Sequence, residues 1–356
     1  MLVLFSRCRS RAILIALLTA VLPFGGCTDL NTPASPGEVL QLTISLPSLP
    51  ADGFSTAQVT AQIDPTTDER YRDIIFTTTL GSFPSGTSTQ ARSIVVTANS
   101  DGRAVVTLRS SNQTGTATIS AEIRDGGEVK ASQSANIAFQ AVASTNVINI
   151  ELPAAEAPAD GASVLPVFAR INNDLPQDLR EVVFSTTVGT LSIGTGGGAS
   201  SVQVRAGSDN VATVNLVSPR SPGNGVVSAT LNGFSVRRTV VFTQAYPDRA
   251  AVSLSGSLRL TATFATKAFL TVRLFRDVGT VSRDTNIAWE AFDNPTGSPV
   301  GLFSGVVPTD LQGVATAEWT PGNTPDRGTT TITARVPGTN VFASVPGSAS
   351  SSAPSR

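Results

Sequence analysis

Apolar and polar residues alternate with a period of two along much of the chain, as in Val59, Ala61 and Ile63 against Gln58, Thr60 and Gln62. Successive side chains on a strand point to opposite faces, so this pattern predicts a half-buried β-strand. The same alternation recurs 108 positions later at Val167, Ala169 and Ile171, with Ala51-Asp52-Gly53 returning as Ala159-Asp160-Gly161. Phe76-Thr77-Thr78-Thr79-Leu80-Gly81 matches Phe184-Ser185-Thr186-Thr187-Val188-Gly189 at that offset, Ala104, Val106 and Leu108 match Ala212, Val214 and Leu216, and Ile119-Ser120-Ala121 matches Val227-Ser228-Ala229. One offset serving five segments marks an internal repeat.

A third copy is more divergent. At an offset of 213 from the first, Val59 and Ala61 fall on Val272 and Leu274, Phe76 on Trp289, and Gly115-Thr116-Ala117-Thr118-Ile119 on Gly328-Thr329-Thr330-Thr331-Ile332; Gly102, Ala104 and Leu108 fall on Gly313, Ala315 and Trp319 at 211. Units of about 110 residues match the size of an immunoglobulin-like sandwich. Many short strands, each with one apolar face, are satisfied when two sheets bury those faces against each other. Asp-Gly at 52–53, 101–102 and 160–161 suits turns that need positive φ. The expected fold is all-β: three tandem immunoglobulin-like β-sandwich domains after a lipoprotein signal peptide, at residues 38–140, 146–245 and a divergent 248–345, with a disordered tail at 346–356.

The run ADGFSTAQVTAQI, then FTTTLG, SDGRAVVTLRSS and GTATISAEI, resembles the bacterial Ig-like group 1 module of invasin- and intimin-type adhesins, nearly end to end in the first two units. The third unit lacks Ala-Asp-Gly, so its resemblance rests on the later strands. The resemblance implies a surface-exposed rod of sandwiches that serves as a spacer and sometimes carries an adhesive tip.

Composition agrees. Charged residues make up 14% of the 356, against roughly 25% in ordinary soluble domains. There is no histidine, which removes imidazole bases and ligands, the Ser-His-Asp triad and His-containing zinc sites among them. The expectation is a non-enzyme without cofactor or metal.

Residues 1–26 carry Arg7, Arg9 and Arg11, an apolar run over 12–22, and small residues before Cys27. This is the layout of a secretory signal, and the run of about 11 residues is too short for the roughly 20 of a membrane-spanning helix. Phe24-Gly25-Gly26-Cys27 resembles a bacterial lipobox, which implies lipidation of Cys27. The only other cysteine, Cys8, lies inside the segment to be removed, so Cys27 has no disulfide partner. By resemblance to the lipoprotein sorting rule of some Gram-negative bacteria, Thr28 in place of Asp does not match the inner-membrane retention signal, which implies the outer membrane, lipid-anchored and surface- or periplasm-facing. Residues 27–37 suit a tether reaching up to ~35 Å. Without residues 1–26 the chain keeps 22 basic and 26 acidic groups, a charge of −4, which argues against a nucleic-acid partner.

Other chemistry is weak. Gly194-Thr195-Gly196-Gly197-Gly198 lacks the Lys-Ser/Thr of a phosphate loop. Asp64, Asp68 and Glu69, and Asn172, Asn173 and Asp174 in the next unit, lack calcium-loop spacing. Trp289 and Trp319 occupy core slots rather than an exposed platform. The third unit lies farthest from a Cys27 anchor and has altered loops, so a partner-binding loop is placed there, at Asp293, Asn294 and Phe303, with residues 321–327 beside it. The functional expectation is a non-catalytic surface lipoprotein whose array spaces or presents an adhesive or protein-interaction site; the alternative is a carbohydrate-binding or envelope structural lipoprotein. Its partners are the membrane, through the lipid, and a surface protein or polysaccharide.

Overall fold

The computed structural model describes residues 39–350 apart from 86–87, 173–174, 176–178, 195–197, 256–258, 262–266 and 322–327. The signal segment, Cys27, the tether and residues 351–356 lie outside the described residues.

The first unit contains β1 (Leu40–Ile44), β2 (Ser48–Pro50), β3 (Thr56–Ile63), β4 (Asp73–Thr78), β5 (Phe83–Ser85), β6 (Ser88–Ala91), β7 (Ser93–Thr97), β8 (Arg103–Arg109), β9 (Gly115–Asp125) and β10 (Glu128–Gln140). β1-β3-β8 form one sheet and β2-β10-β9-β4-β7 the other, with β5 and β6 paired alongside. The opening strand changes sheet at Pro47, which has no N–H to donate to a ladder: β1 runs antiparallel to β3, and β2 then runs parallel to β10.

The second unit repeats this plan with β11 (Ile148–Glu151), β12 (Glu156–Pro158), β13 (Val164–Ile171), β14 (Glu181–Thr186), β15 (Thr190–Ser192), β16 (Ser201–Arg205), β17 (Val211–Val217), β18 (Gly223–Leu231) and β19 (Phe234–Thr243). The third holds β20 (Arg249–Ser255), β21 (Arg259–Thr261), β22 (Ala268–Phe275), β23 (Ala288–Asp293), β24 (Leu302–Val307), β25 (Val314–Thr320), β26 (Gly328–Arg335) and β27 (Phe342–Ser350). Its sheets are β20-β22-β25-β24 and β21-β27-β26-β23. The protein is all-β, and each unit is an immunoglobulin-like sandwich.

The alternation read from the sequence faces the cores. Val59, Ala61 and Ile63 pair with or flank Val106 and Ala104 across β3 and β8, and all are buried; Val167 and Ala169 stand opposite Val214 and Ala212 in the second unit. Each fully buried Val, Leu, Ile or Phe contributes about 1.5–3 kcal/mol. Among the described residues the first two units each have one continuous core, and those of the third fall in two clusters with Trp289 packed against both. Trp319 is buried and Trp289 half-buried, so both serve packing.

Two expectations are corrected. The tail assigned to 346–356 begins inside a strand, since β27 runs through Ser350 and pairs with β26 as far as Gly328. The offset of 213 for Val59 and Ala61 is two residues too long. Ile63 and Leu274 make the same backbone bond, to Gly102 and Gly313, so 211 governs β22 as it governs β25. Trp289 lies opposite Ala334 as Phe76 lies opposite Ala121, so 213 holds in the other sheet. A slip of two leaves every side chain on the same face, which hides it from an alternation pattern.

Candidate functional site

The repeated Ala-Asp-Gly element forms the same turn in both units. Asp52 is 3% exposed; its Oδ1 accepts from the amides of Phe54 (3.0 Å) and Ser55 (2.7 Å) and from Ser110 Oγ (2.9 Å), and its Oδ2 from the Ser55 hydroxyl. Asp160, 1% exposed, is held by the amides of Ala162 (2.9 Å) and Ser163 (2.7 Å) and the hydroxyls of Ser163 (2.7 Å) and Ser218 (2.9 Å). Burial is the largest single influence on the Asp160 carboxyl and opposes its charge. The four donors together outweigh burial and hold it below the usual carboxylate range. A carboxylate is the side chain that can accept this many bonds at once.

These turns are where one unit meets the next. At the first joint, Asn232 Nδ2 donates to the Asp52 carbonyl (3.2 Å) and Asn112 Nδ2 to the Asn232 carbonyl (3.2 Å). Asn232 sits with Gly233 at φ of 48° and 88°, the conformation of a tight hairpin turn. Gly53, at φ 79°, leaves the room that Asn232 takes; a Cβ there would lie 2.1 Å from its Nδ2. Phe54 and Val142 pack against the second unit's core.

The second joint is more densely bonded. The Asp160 carbonyl accepts from Thr280 N (2.8 Å) and Oγ1 (3.0 Å). Ser282, fully buried, donates its hydroxyl to the Ala159 carbonyl (2.8 Å) and accepts from Ala245 N (2.8 Å). Gln244 Nε2 donates to Thr285 Oγ1 (2.6 Å), Arg283 N to the Arg220 carbonyl (2.7 Å), and Arg276 Nη2 lies 3.8 Å from Asp160 Oδ2. The contact residues Asn232, Thr280 and Ser282 were not singled out from the sequence; the Asn-Gly pair at 232–233 was the available signal.

The three residues placed in the partner-binding loop have different surroundings. Asp293, at the end of β23, is 5% exposed, and its Oδ2 accepts from Thr296 Oγ1 (2.8 Å). Phe303 is half-buried and stacks on Trp289 with centroids 6.2 Å apart. Asn294 is exposed, donating to Thr329 Oγ1 (2.8 Å) and accepting from Thr331 Oγ1 (2.7 Å). Residues 293–301 lie at the pole of the third unit opposite its joint with the second, since Asp293 pairs with Thr330 near the start of β26 while Arg335 at the other end leads toward the joint side. Of the neighbouring stretch, 322–327 lies outside the described residues, as do 195–197, Asn173 and Asp174. Asp64 is occupied by its own turn, accepting from Thr66 N (2.7 Å) and Oγ1 (2.6 Å), and Asp68 accepts from Arg70 N (3.1 Å). Among the described residues no group of three or more His, Cys, Asp or Glu is arranged to hold a metal ion, and no helix is long and apolar enough to cross a membrane.

This geometry defines a tandem array of immunoglobulin-like sandwiches joined through buried polar turns. A scan against protein-family models finds no match, and a search of the curated proteins finds none either. Among solved structures the chain is similar to invasin, described as a bacterial integrin-binding protein, at 19% identity and a TM-score of 0.35 over 87% of this chain and 60% of that one. It is also similar to a domain fragment of intimin, at 25% identity and a TM-score of 0.23 over 56% of this chain and 96% of that one. A third is the Yersinia pseudotuberculosis adhesin InvE, at 15% identity and a TM-score of 0.31 over 80% and 74%. The chain thus spans about 60% of the length of the invasin structure.

Proposed function

We propose that this chain is a non-catalytic surface lipoprotein of the bacterial envelope, anchored through Cys27 to the outer membrane, whose sandwiches hold an adhesive or protein-interaction site away from the bilayer. The observation that carries the reading is the pair of joints: at each, a buried aspartate turn of one unit is bonded to the next, which limits hinge motion and gives a semi-rigid rod. A rod with few degrees of freedom holds its far end at a defined height, the property a spacer needs.

The contact belongs to the loops of the third unit at 293–303, with Asn294 at the surface and Asp293 and Phe303 shaping the loop from beneath. Deleting residues 248–356 while keeping the anchor tests this. Cell attachment or pull-down partners should be lost; if they persist unchanged, the third unit is not the contact.

A further inference from the structure

A cleft of about 340 Å³ opens at the joint of the first two units. Its walls include Arg92, Arg109, Ser111, Asn112 and Gln113 of the first unit and Asn232 of the second, and among the described residues its lining carries no carboxylate. Two arginines are therefore gathered with hydroxyl- and amide-bearing residues in a chain whose acidic groups outnumber its basic ones. Arg92 donates to the Thr79 carbonyl (2.8 Å), and among the described residues neither arginine is in an ion pair. Among the described residues Leu179 is the one apolar side chain of appreciable size in the lining.

The fold does not demand these arginines. Arg92 and Ser200 hold the same position, each carbonyl accepting from the threonine that ends the facing strand, Thr78 or Thr186. Arg109 and Val217 likewise both end the strand beside the Ser82 or Thr190 segment. The second unit makes the same sandwich with Ser and Val where the first has two cations, so the sandwich itself does not require a cation at either position.

We propose that this cleft binds an oxyanion-bearing sugar residue, with Arg92 and Arg109 taking the anion and Ser111, Asn112, Gln113 and Asn232 the hydroxyls. Guanidinium forks match carboxylate and phosphate oxygens bidentately, and the amides and hydroxyl supply both donors and acceptors for a polyol. The volume suits one monosaccharide-sized group. Because both units line the cleft, the bound sugar also bridges the joint. The site is separate from the contact at 293–303 and stands whether or not that contact is real.

Calorimetric titration of the detergent-solubilised full-length protein tests it, with trigalacturonate, glucose 6-phosphate, inorganic phosphate and neutral maltotriose as probes at one ionic strength. At least one of the two anionic sugars, trigalacturonate or glucose 6-phosphate, should bind tenfold or more tightly than maltotriose, the carboxylate or phosphate arm identifying which anion is recognised. Arg109→Val and Arg92→Ser, the second unit's own residues, should each weaken that binding about tenfold while leaving the thermal midpoint in place. The proposal is overturned if neither anionic sugar outbinds maltotriose, if inorganic phosphate binds as tightly as either, or if the double variant binds normally.

Discussion

The backbone carbonyl of Asp160 accepts two hydrogen bonds from Thr280, one from the amide at 2.8 Å and one from the hydroxyl at 3.0 Å, although the residues belong to different sandwiches. The Asp160 side chain meanwhile closes its own turn onto Ser163 and Ser218. One residue thus sets the local conformation and presents the surface on which the next unit sits. Local folding of the second unit and the angle of the array are coupled through it.

Replacing Asp160 with Ala should destabilise the second unit by about 2–4 kcal/mol, because two amides and two hydroxyls lose a buried acceptor at once. Chemical denaturation reads this, and Asp52→Ala should behave alike in the first unit. A change below about 0.5 kcal/mol in both would show that the turns are closed by other contacts.

The hydrogen bonds that hold the Asp160 carboxyl below its ordinary range make the second unit acid-sensitive. A carboxyl whose folded pKa is depressed contributes stability that is fully present above its unfolded pKa, about 3.9, and is lost as pH falls through the folded value. Thermal midpoints measured from pH 7 down to 2 should fall more steeply below about pH 4 in the native protein than in Asp160→Asn, which has no proton to gain there.

Gly279 sits at φ 72°, and a Cβ on it would lie 2.7 Å from the Asp160 carbonyl oxygen. Gly279→Val should therefore strain the backbone by about 1–2 kcal/mol and push the third unit off its seat. Small-angle scattering should show a broader distribution of lengths than for the native chain. Proteolysis should gain cuts around 244–248.

If Cys27 carries the proposed lipid, Cys27→Ser should move the protein from membrane to soluble fractions, since several acyl chains on one residue give stable anchoring. Retention in the membrane would place the anchor elsewhere.

The period-two alternation at Val59, Ala61 and Ile63, and its return 108 residues later, by itself determined strand identity, core face and unit length, because burying one face of a strand requires that pattern whatever lies opposite. The sequence also determined that Trp319 belongs to the core, through its match to Leu108 and Leu216. The tertiary structure decided what depends on the neighbour across a gap. The two-residue slip between the sheets of the third unit preserves every inward face, so only the pairing of Val272 with Ala315 exposes it. Asp52 and Asp160 read as turn formers from local spacing, yet their place at the joints depends on Asn232 and Thr280, 180 and 120 residues farther along. Phe303, on β24, has no signature in its local sequence; it stacks on Trp289 because β24 and β23 are the edge strands of the two facing sheets. Alternation is a local property and survives in one dimension, whereas joints and clefts are made by surfaces that meet only once the sheets have closed.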